Sequence, residues 1–274
     1  MKGTFVLGIG AQKSGTSWVY RYLEQNPNFR SGVKKEYHIW DALEIPLFRR
    51  NLVRFPKNMI GASRYRYRMQ TDPNFYFSYF ESLLSKDTDI VADVTPSYSM
   101  LKVDTLRRIK DEFNKRGIEF KCVFLVRDPI ERCRSAVKMN LNRGNFREGV
   151  SRGNTEFCSA LDEYYRSEHA EVRTRYDLTI ENMKAAYAED VYYIGVYETM
   201  FAKENVLRLS EFLGIEPNIE FAEVKIFPGR GHSQSCKEIE RKIFAKYRSV
   251  YDYCGIALPE TELVWTGNTD YRKE

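Results

Sequence analysis

A glycine-bounded loop near the N-terminus, Gly10-Ala-Gln-Lys-Ser-Gly-Thr-Ser17, follows an apolar run and precedes an amphipathic one. In a strand–loop–helix unit of this kind, backbone N–H groups and the helix N-terminus converge on an anion. The loop therefore predicts a phosphate cradle, although a tight turn without a ligand is the alternative that the loop alone leaves open. The contacts predicted for the anion are Lys13, Ser14, Gly15, Thr16 and Ser17.

The loop differs in one position from the nucleoside-triphosphate loop G-x-x-x-x-G-K-[ST]. Thr16 stands where that motif has its lysine, and the loop's lysine is Lys13. The cationic group is therefore displaced into the loop.

A second anion motif, Arg127-Asp-Pro-Ile-Glu-Arg-Cys-Arg-Ser135, begins where the apolar run 120–126 ends. Asp128 is a helix N-cap residue, and Pro129 is favoured at the first helical position. Ligands of parallel sheets bind at the carboxyl ends of the strands, so we expect Arg127 and Ser135 to hold a second phosphate. Taken alone, Arg-Asp-Pro is a common helix start whose arginine points to solvent.

Two candidate proton acceptors, Glu36 and His38, lie two residues apart. In an extended segment their side chains point to the same face. A neutral hydroxyl that attacks an electrophile must lose its proton, and either a carboxylate or a neutral imidazole can accept it. The spacing does not choose between them, and Glu36 could also be a surface partner of Lys34 or Lys35.

The elements that must position these groups alternate along the chain. Apolar runs predict strands at 4–10, 90–94, 120–126 and 191–197. Amphipathic or capped segments predict helices at 16–25, 105–114, 176–187, 204–213 (closed by Gly214) and 237–253. This alternation predicts an α/β fold, a P-loop-like parallel sheet flanked by helices, with residues 1–274 as a single domain.

The composition is that of a globular protein. Hydrophobic residues make up 43 % of the 274 residues, and aromatic residues make up 14 %. The sequence contains no run of 18 apolar residues, so no membrane span is predicted. The first apolar run is too short for a secretory signal. The net charge of +5 suits an anionic ligand but is too weak to indicate binding to nucleic acid. We expect a cytoplasmic protein with neither a nucleic-acid nor a membrane partner.

The cysteines number five and include no C-x-x-C pair, so neither a disulfide framework nor a zinc site is predicted. A reducing compartment fits this pattern. The five are Cys122, Cys133, Cys158, Cys236 and Cys254.

Two segments are predicted to leave the core and border a cleft. Residues 46–71 carry seven basic residues and no acidic one, with aromatic residues between them, and residues 142–155 are rich in Gly, Asn and Arg. The basic segment is expected to line the entrance for an acceptor, although a solvated surface loop is the plainer interpretation.

Together, the two anion motifs resemble those of the sulfotransferases that use 3′-phosphoadenosine 5′-phosphosulfate (PAPS). The stretch Gly10-Ala-Gln-Lys-Ser-Gly-Thr-Ser-Trp18 is similar to that family's 5′-phosphosulfate loop. The Arg127 to Ser135 motif is similar to its 3′-phosphate motif. The resemblance covers about residues 4 to 250 and implies PAPS as cofactor, adenosine 3′,5′-bisphosphate (PAP) as product, and no metal.

Further motifs extend the resemblance. Lys35-Glu-Tyr-His-Ile-Trp40 is similar to the K-E-x-H-F-F segment of the heparan sulfate branch and its bacterial relatives, in which the glutamate is the general base. Asp93-Val-Thr-Pro-Ser-Tyr98 matches a T-P-x-Y element, with Val94 where some members have a lysine facing the sulfonate. Tyr197-Glu198 resembles a Y-E pair at a strand end, and Gly229-Arg-Gly-His232 resembles a loop that closes over the cofactor, which implies contacts from Arg230 and Gly231.

The resemblance implies a sulfotransferase that moves a sulfuryl group to an acceptor hydroxyl, on a carbohydrate or a small alcohol. Lys13 is then expected to touch the oxygen between phosphate and sulfonate, Glu36 to be the general base, and His38 to support it. The alternatives are a P-loop nucleotide kinase, which would need the loop lysine and a Mg²⁺ carboxylate, and a non-catalytic binding module.

Overall fold

A computed structural model describes residues 2–54, 60–224 and 234–272. Its centre is a five-stranded sheet in the order β2-β3-β1-β4-β5, in which all neighbouring strands are parallel. The strands are β1 (Thr4–Gly10), β2 (Phe29–Arg30), β3 (Ile90–Val94), β4 (Glu119–Val126) and β5 (Tyr192–Val196).

Helices cover both faces of this sheet, and no helix of the described residues is long and apolar enough to cross a membrane. Short 3₁₀ turns occupy Pro46–Asn51, Pro96–Met100, Glu189–Val191 and Glu220–Glu223. The α-helices are α1 (Thr16–Leu23), α2 (Trp40–Glu44), α3 (Ala62–Thr71), α4 (Pro73–Leu83), α5 (Val103–Lys115), α6 (Pro129–Arg143), α7 (Phe157–Arg166), α8 (Glu168–Thr174), α9 (Tyr176–Ala186), α10 (Lys203–Leu213), α11 (Lys237–Lys246), α12 (Arg248–Ala257), α13 (Thr261–Val264) and α14 (Thr266–Tyr271).

The central strands are buried on both faces, as parallel strands between helix layers must be. Alternate residues of β1 therefore enter two cores: Phe5 packs in one and Val6 in the other. Phe5 stacks on Phe113 of α5 with ring centroids 3.9 Å apart and meets Phe80 of α4 edge-on at 4.8 Å. The predicted α/β fold in a single domain is confirmed.

The strand order brings three strand ends together. β1 lies between β3 and β4, so the residues that follow these strands, Ala11, Thr95 and Arg127, leave the sheet at one edge. β2 and β3 lie on one side of β1, and β4 and β5 lie on the other. Open parallel sheets bind ligands at the point where the strand order changes direction in this way.

The structure differs from the sequence prediction at β2 and at the helix predicted over 237–253, and its described residues include helices that were not predicted, namely α2, α3, α4, α7, α8, α13 and α14. β2 has only two residues, Phe29 and Arg30, too few to give a periodic pattern. The predicted helix 237–253 is two helices, because Tyr247 leaves helical geometry at φ −102° and ψ 20°. The apolar spacing continues across this break, since Phe244 and Tyr251 pack together at 4.8 Å, so the pattern does not reveal it.

The prediction that the cysteines form no disulfide is wrong. Cys158 of α7 is bonded to Cys236, which precedes α11; the Cα atoms are 5.7 Å apart, and the two residues are separated by 78 positions in sequence. The packing of α7 against α11 makes this pair, and no local spacing motif signals it. The inference to a reducing compartment rested on the absence of disulfides, so this bond removes its support. A cytoplasmic location stays a prediction. Cys122, Cys133 and Cys254 are free and buried.

Candidate active site

The loop after β1 presents unpaired backbone donors at the sheet edge. Gly15 precedes α1 in the left-handed region, at φ 95°, and a Cβ atom there would lie 2.8 Å from the Met200 sulfur, so glycine is required. Lys13 is also left-handed, at φ 72°. The N–H groups of Gly15, Thr16 and Ser17 donate to no atom within the described ranges, as expected at the first turn of a helix. The loop therefore has the form of an anion cradle.

The cradle is surrounded by cations. Burial, together with the charges of Arg127, Arg143 and Lys35, lowers the pKa of Lys13 to about 8. Like charges that crowd one ammonium in this way are relieved by a bound anion. The electrostatics therefore favour a ligand with several negative charges.

Arg127 joins the second motif to the first. Its Nη1 donates to the backbone oxygen of Lys13 at 3.0 Å, and its guanidinium lies over the ring of Tyr197, 4.4 Å from the centroid. The Tyr197-Glu198 pair, noted in the sequence, thus lies directly against this arginine. Glu198 accepts the N–H of Asp128 at 3.0 Å and the indole N–H of Trp265 at 3.0 Å. Burial raises the pKa of Glu198 to about 7.

Ser135 lies on the face of α6 that these cations contact. Glu131, Ser135 and Met139 follow one another at intervals of four residues and so share one face of the helix. Arg127 Nη2 lies 3.7 Å from Glu131, and Lys13 Nζ lies 3.9 Å from the sulfur of Met139. Ser135 is therefore between the two contacts, one helical turn from each.

Asp128 fixes the start of α6, as the Asp-Pro pair predicts. Its Oδ1 accepts the N–H of Ile130 at 2.8 Å and the hydroxyl of Tyr251 at 2.6 Å. Its Oδ2 accepts the hydroxyl of Thr266 at 2.6 Å and the N–H of Gly267 at 3.0 Å. The buried carboxylate thus ties the C-terminal helices to the strand end that carries Arg127.

His38 lies between Glu36 and Asp41, a residue that the sequence analysis did not identify. His38 Nδ1 lies 2.7 Å from Asp41 Oδ2, and His38 Nε2 lies 3.5 Å from Glu36 Oε2. Asp41 is fully buried and also accepts from Ser97 Oγ at 2.5 Å. The sequence signal for Asp41 was its position three residues after His38 at the start of α2.

The protonation states of Glu36 and His38 distinguish these two candidate bases. Burial alone would lower the pKa of His38, but the carboxylates of Asp41 and Glu36 outweigh it and raise the pKa to about 9. Burial alone would raise the pKa of Glu36, but His38 and Lys35 outweigh it and lower the pKa to about 2. At neutral pH His38 therefore already carries its second proton, whereas Glu36 is ionised.

A buried carboxylate on β3 holds the backbone of this segment. Asp93 accepts from the hydroxyls of Tyr76 at 3.0 Å, Tyr98 at 2.9 Å and Thr95 at 2.6 Å. Burial, despite these hydrogen bonds, raises the pKa of Asp93 to about 6.

The hydroxyls of Thr95 and Tyr98 also accept hydrogen bonds from the backbone on either side of His38. Thr95 Oγ1 accepts the N–H of Tyr37 at 3.0 Å, and the Tyr98 hydroxyl accepts the N–H of Ile39 at 3.0 Å. His38 itself is left-handed, at φ 55°, which costs a non-glycine residue about 1–3 kcal/mol. The clamp therefore keeps His38 in a conformation that it would not adopt alone.

Lys35 is a second residue whose role the sequence analysis missed. Its ammonium lies 3.0 Å from Ser17 Oγ and 2.9 Å from Glu36 Oε1. One side chain therefore contacts both the anion cradle and the candidate base. The K-E dipeptide was visible in the sequence, but only the fold shows that Ser17 is the other partner.

The basic segment has a structural part and an exposed part. Arg66 donates to the backbone oxygen of Tyr37 at 2.7 Å, and Arg68 lies over the ring of Phe75 at 3.6 Å. α3 therefore supports the backbone of the segment that carries Glu36 and His38.

Arg50 pairs with Glu148, so the two predicted excursions, 46–71 and 142–155, touch each other. The exposed arginines of the segment are Arg50 and Arg68, which make the contacts just described, and Arg49, Arg54 and Arg64. The prediction that the segment lines an acceptor entrance stays a prediction.

Not every predicted contact falls in the described part of the chain. Arg230 and Gly231, with the rest of the Gly229 to His232 motif, lie outside the described residues. Within those residues, no group of three or more His, Cys, Asp or Glu side chains could hold a metal ion.

A surface groove of about 810 Å³ lies at the opposite edge of the sheet, where α1 ends and β3 begins. It is bordered by the acidic residues Asp89, Glu211, Glu216 and Glu220. Such a rim repels anions, so this groove is not a second candidate for the site described above.

The comparisons with known proteins agree with this architecture. The sulfotransferase from Alicyclobacillus acidocaldarius aligns with this chain at a TM-score of 0.57 and 18 % identity, over 94 % of this chain and 96 % of that one. This likeness shows that the chain has the sulfotransferase fold. No protein-family model matches the sequence, and no curated protein matches it.

Two further structures align less closely. They are the sulfotransferase domains from the Synechococcus PCC 7002 olefin synthase and from the curacin biosynthetic pathway. Their TM-scores are 0.44 and 0.43 at 17 % and 15 % identity, each over 81 % of this chain and 77 % of that chain.

Proposed function

We propose that this protein, with residues 1–274 as its catalytic domain, is a PAPS-dependent sulfotransferase that acts on a hydroxyl group of a glycan or a small alcohol. The observation that carries the proposal is the contact of one ammonium, that of Lys35, with both the anion cradle and the base Glu36. A proton acceptor beside the reacting end of a bound anion is what the transfer of a sulfuryl group to a hydroxyl requires.

The residues of the cradle fit a donor with charge at two ends. The buried hydroxyl of Ser14 and the buried Nε of Arg127 make no hydrogen bond within the described residues, so each has capacity for a ligand. Lys13, Ser14, Gly15, Thr16 and Ser17 would hold the 5′-phosphosulfate. Arg127 and Ser135 would hold the 3′-phosphate, and Arg230 and Gly231 are proposed to add contacts.

The donor supplies the sulfuryl group, whose sulfur–oxygen bond to the 5′-phosphate breaks as the acceptor oxygen bonds to sulfur. Glu36 accepts the hydroxyl proton. Lys13 stabilises the charge that develops on the oxygen between phosphate and sulfur. His38, held by Asp41, orients the Glu36 carboxylate and keeps it ionised.

The kinase alternative is disfavoured by the state of Asp93. Asp93 is an acidic residue near the end of β3, but it is fully buried and its oxygens already accept three hydroxyl groups. Hydrogen bonds of this kind leave no open position for a metal ion.

The proposal is tested by calorimetry with PAP and with ATP plus Mg²⁺, followed by transfer of labelled sulfate from PAPS to glycans, phenols, sterols and polyketide alcohols. We expect PAP to bind at least 10-fold more tightly than ATP, because only PAP fills both anion sites. A preference for ATP would contradict the proposal. PAP binding without transfer to any acceptor would favour the binding-module alternative.

The 3′-phosphate assignment gives a separate prediction. Replacing Arg127 with alanine is expected to weaken PAP binding by about 1.5–3 kcal/mol, roughly 10- to 100-fold, because a charge-assisted hydrogen bond is lost. The measurement compares PAP with adenosine 5′-monophosphate, which lacks the 3′-phosphate. The variant should lose the preference for PAP, whereas a variant of the exposed Arg166 should keep it. An unchanged preference in the Arg127 variant would refute the assignment.

A further inference from the structure

Lys35 occupies a fixed place between two functional groups. The N–H of Val94, the last residue of β3, donates to the backbone oxygen of Lys35 at 3.0 Å, which anchors the lysine to the sheet edge. From there its ammonium reaches Ser17 Oγ at 3.0 Å and Glu36 Oε1 at 2.9 Å. The backbone is held, and the four-carbon side chain remains free to change partner.

The pair that Lys35 forms with Glu36 is weakly held. Its two side chains are 22 % and 39 % exposed, and partly exposed ion pairs of this kind contribute about 0–1 kcal/mol. A bound anion beside Ser17 offers the ammonium a stronger partner, because it would sit among the unpaired first-turn N–H groups of α1.

Lys35 also adds to the like-charge repulsion at the cradle. It is one of the three cations whose charge acts on the Lys13 ammonium. An anion placed between Lys13 and Lys35 relieves this repulsion from both sides. Because Lys35 reaches toward the base as well, it approaches that anion from the side on which the acceptor must enter.

We propose that Lys35 binds the sulfonate of the donor and, by leaving Glu36 to do so, frees the carboxylate oxygen that takes the acceptor's proton. This inference rests on the proposed function and adds to it an order of events, since the donor must bind before the base is available. In the transfer itself Lys35 keeps its proton. The acceptor proton goes to Glu36, and the electron pair of the broken sulfur–oxygen bond goes to the phosphate.

The experiment compares the binding of PAPS and PAP, which differ only in the sulfonate, to the wild-type protein and to Lys35→Met. We expect the variant to lose roughly 10-fold or more in PAPS affinity and less than about 3-fold in PAP affinity, the scale of one charge-assisted hydrogen bond. Lys35→Arg, which keeps the charge, should retain most of the PAPS affinity. Lys34→Met removes an adjacent exposed lysine and should change neither affinity.

Each other outcome decides against the proposal. Equal losses for PAPS and PAP in Lys35→Met would assign Lys35 to the phosphate or to the fold, and thermal unfolding separates those two. Unchanged affinities would leave Lys35 as a partner of Glu36 alone. A wild-type protein that binds neither nucleotide would instead refute the proposed function on which the inference rests.

Discussion

Replacing Glu36 with glutamine is expected to lower kcat by about 10²- to 10⁴-fold, the range that general-base catalysis contributes. Glutamine keeps the shape and the hydrogen-bonding oxygen of the side chain but cannot take a proton. PAP binding, measured by calorimetry, should stay nearly unchanged, because Glu36 carries no phosphate contact.

The protonation of the site is the reason for assigning the base to Glu36. With its pKa near 9, His38 is protonated at neutral pH and has no lone pair to offer. Glu36 is ionised throughout that range, since its pKa is about 2. The departure of Lys35 toward a bound anion would remove one of the interactions that hold this pKa low.

Two further variants complete the test of the base. His38→Ala should be milder than Glu36→Gln, because it removes only the support of the carboxylate, and glutamine at the exposed Glu168 should leave kcat unchanged. If Glu36→Gln is active and His38→Ala is inactive, the role of base passes to His38.

Replacing Lys13 with alanine is expected to lower kcat by about 10²-fold or more, the scale of losing one donor to a developing oxyanion. Lys13 lies in the loop between β1 and α1, beside three other cations, so its charge acts where the leaving oxygen of the donor is expected. Steady-state kinetics with saturating PAPS measure the effect. Alanine at the exposed Lys86, on the far turn after α4, is the control. An unchanged kcat would refute the assignment.

The depressed pKa of Lys13 gives this prediction a pH dependence. The anion binds the charged ammonium, and in the free protein that charge is present below about pH 8 and is lost as the pH rises through that value. We therefore expect kcat/KM for the donor to fall above about pH 8. Lys13→Arg, which stays charged, should shift or abolish this alkaline decline. A decline identical in both proteins would assign it to another group, such as His38.

The sequence by itself determined the fold class and most of the strand ends. Hydrophobic runs gave four of the five strands, because buried parallel strands read as continuous apolar segments. The glycine loop before α1 and the Asp128-Pro129 start of α6 are local signals, set by the φ angles and caps that those residues favour. They placed Lys13, Arg127 and Ser135 at one edge of the sheet without any knowledge of tertiary contacts.

The tertiary structure decided which side chains act together. Lys35 meets Ser17, and Cys158 bonds to Cys236, because distant segments pack against one another, and no local pattern encodes either pair. Packing likewise turned Arg66 inward to the backbone of Tyr37 while Arg64 remained exposed. The preference for Glu36 over His38 likewise depends on the tertiary structure. Spacing treats the two equally, whereas the buried carboxylate of Asp41 raises the pKa of His38 and so favours Glu36 as the proposed base.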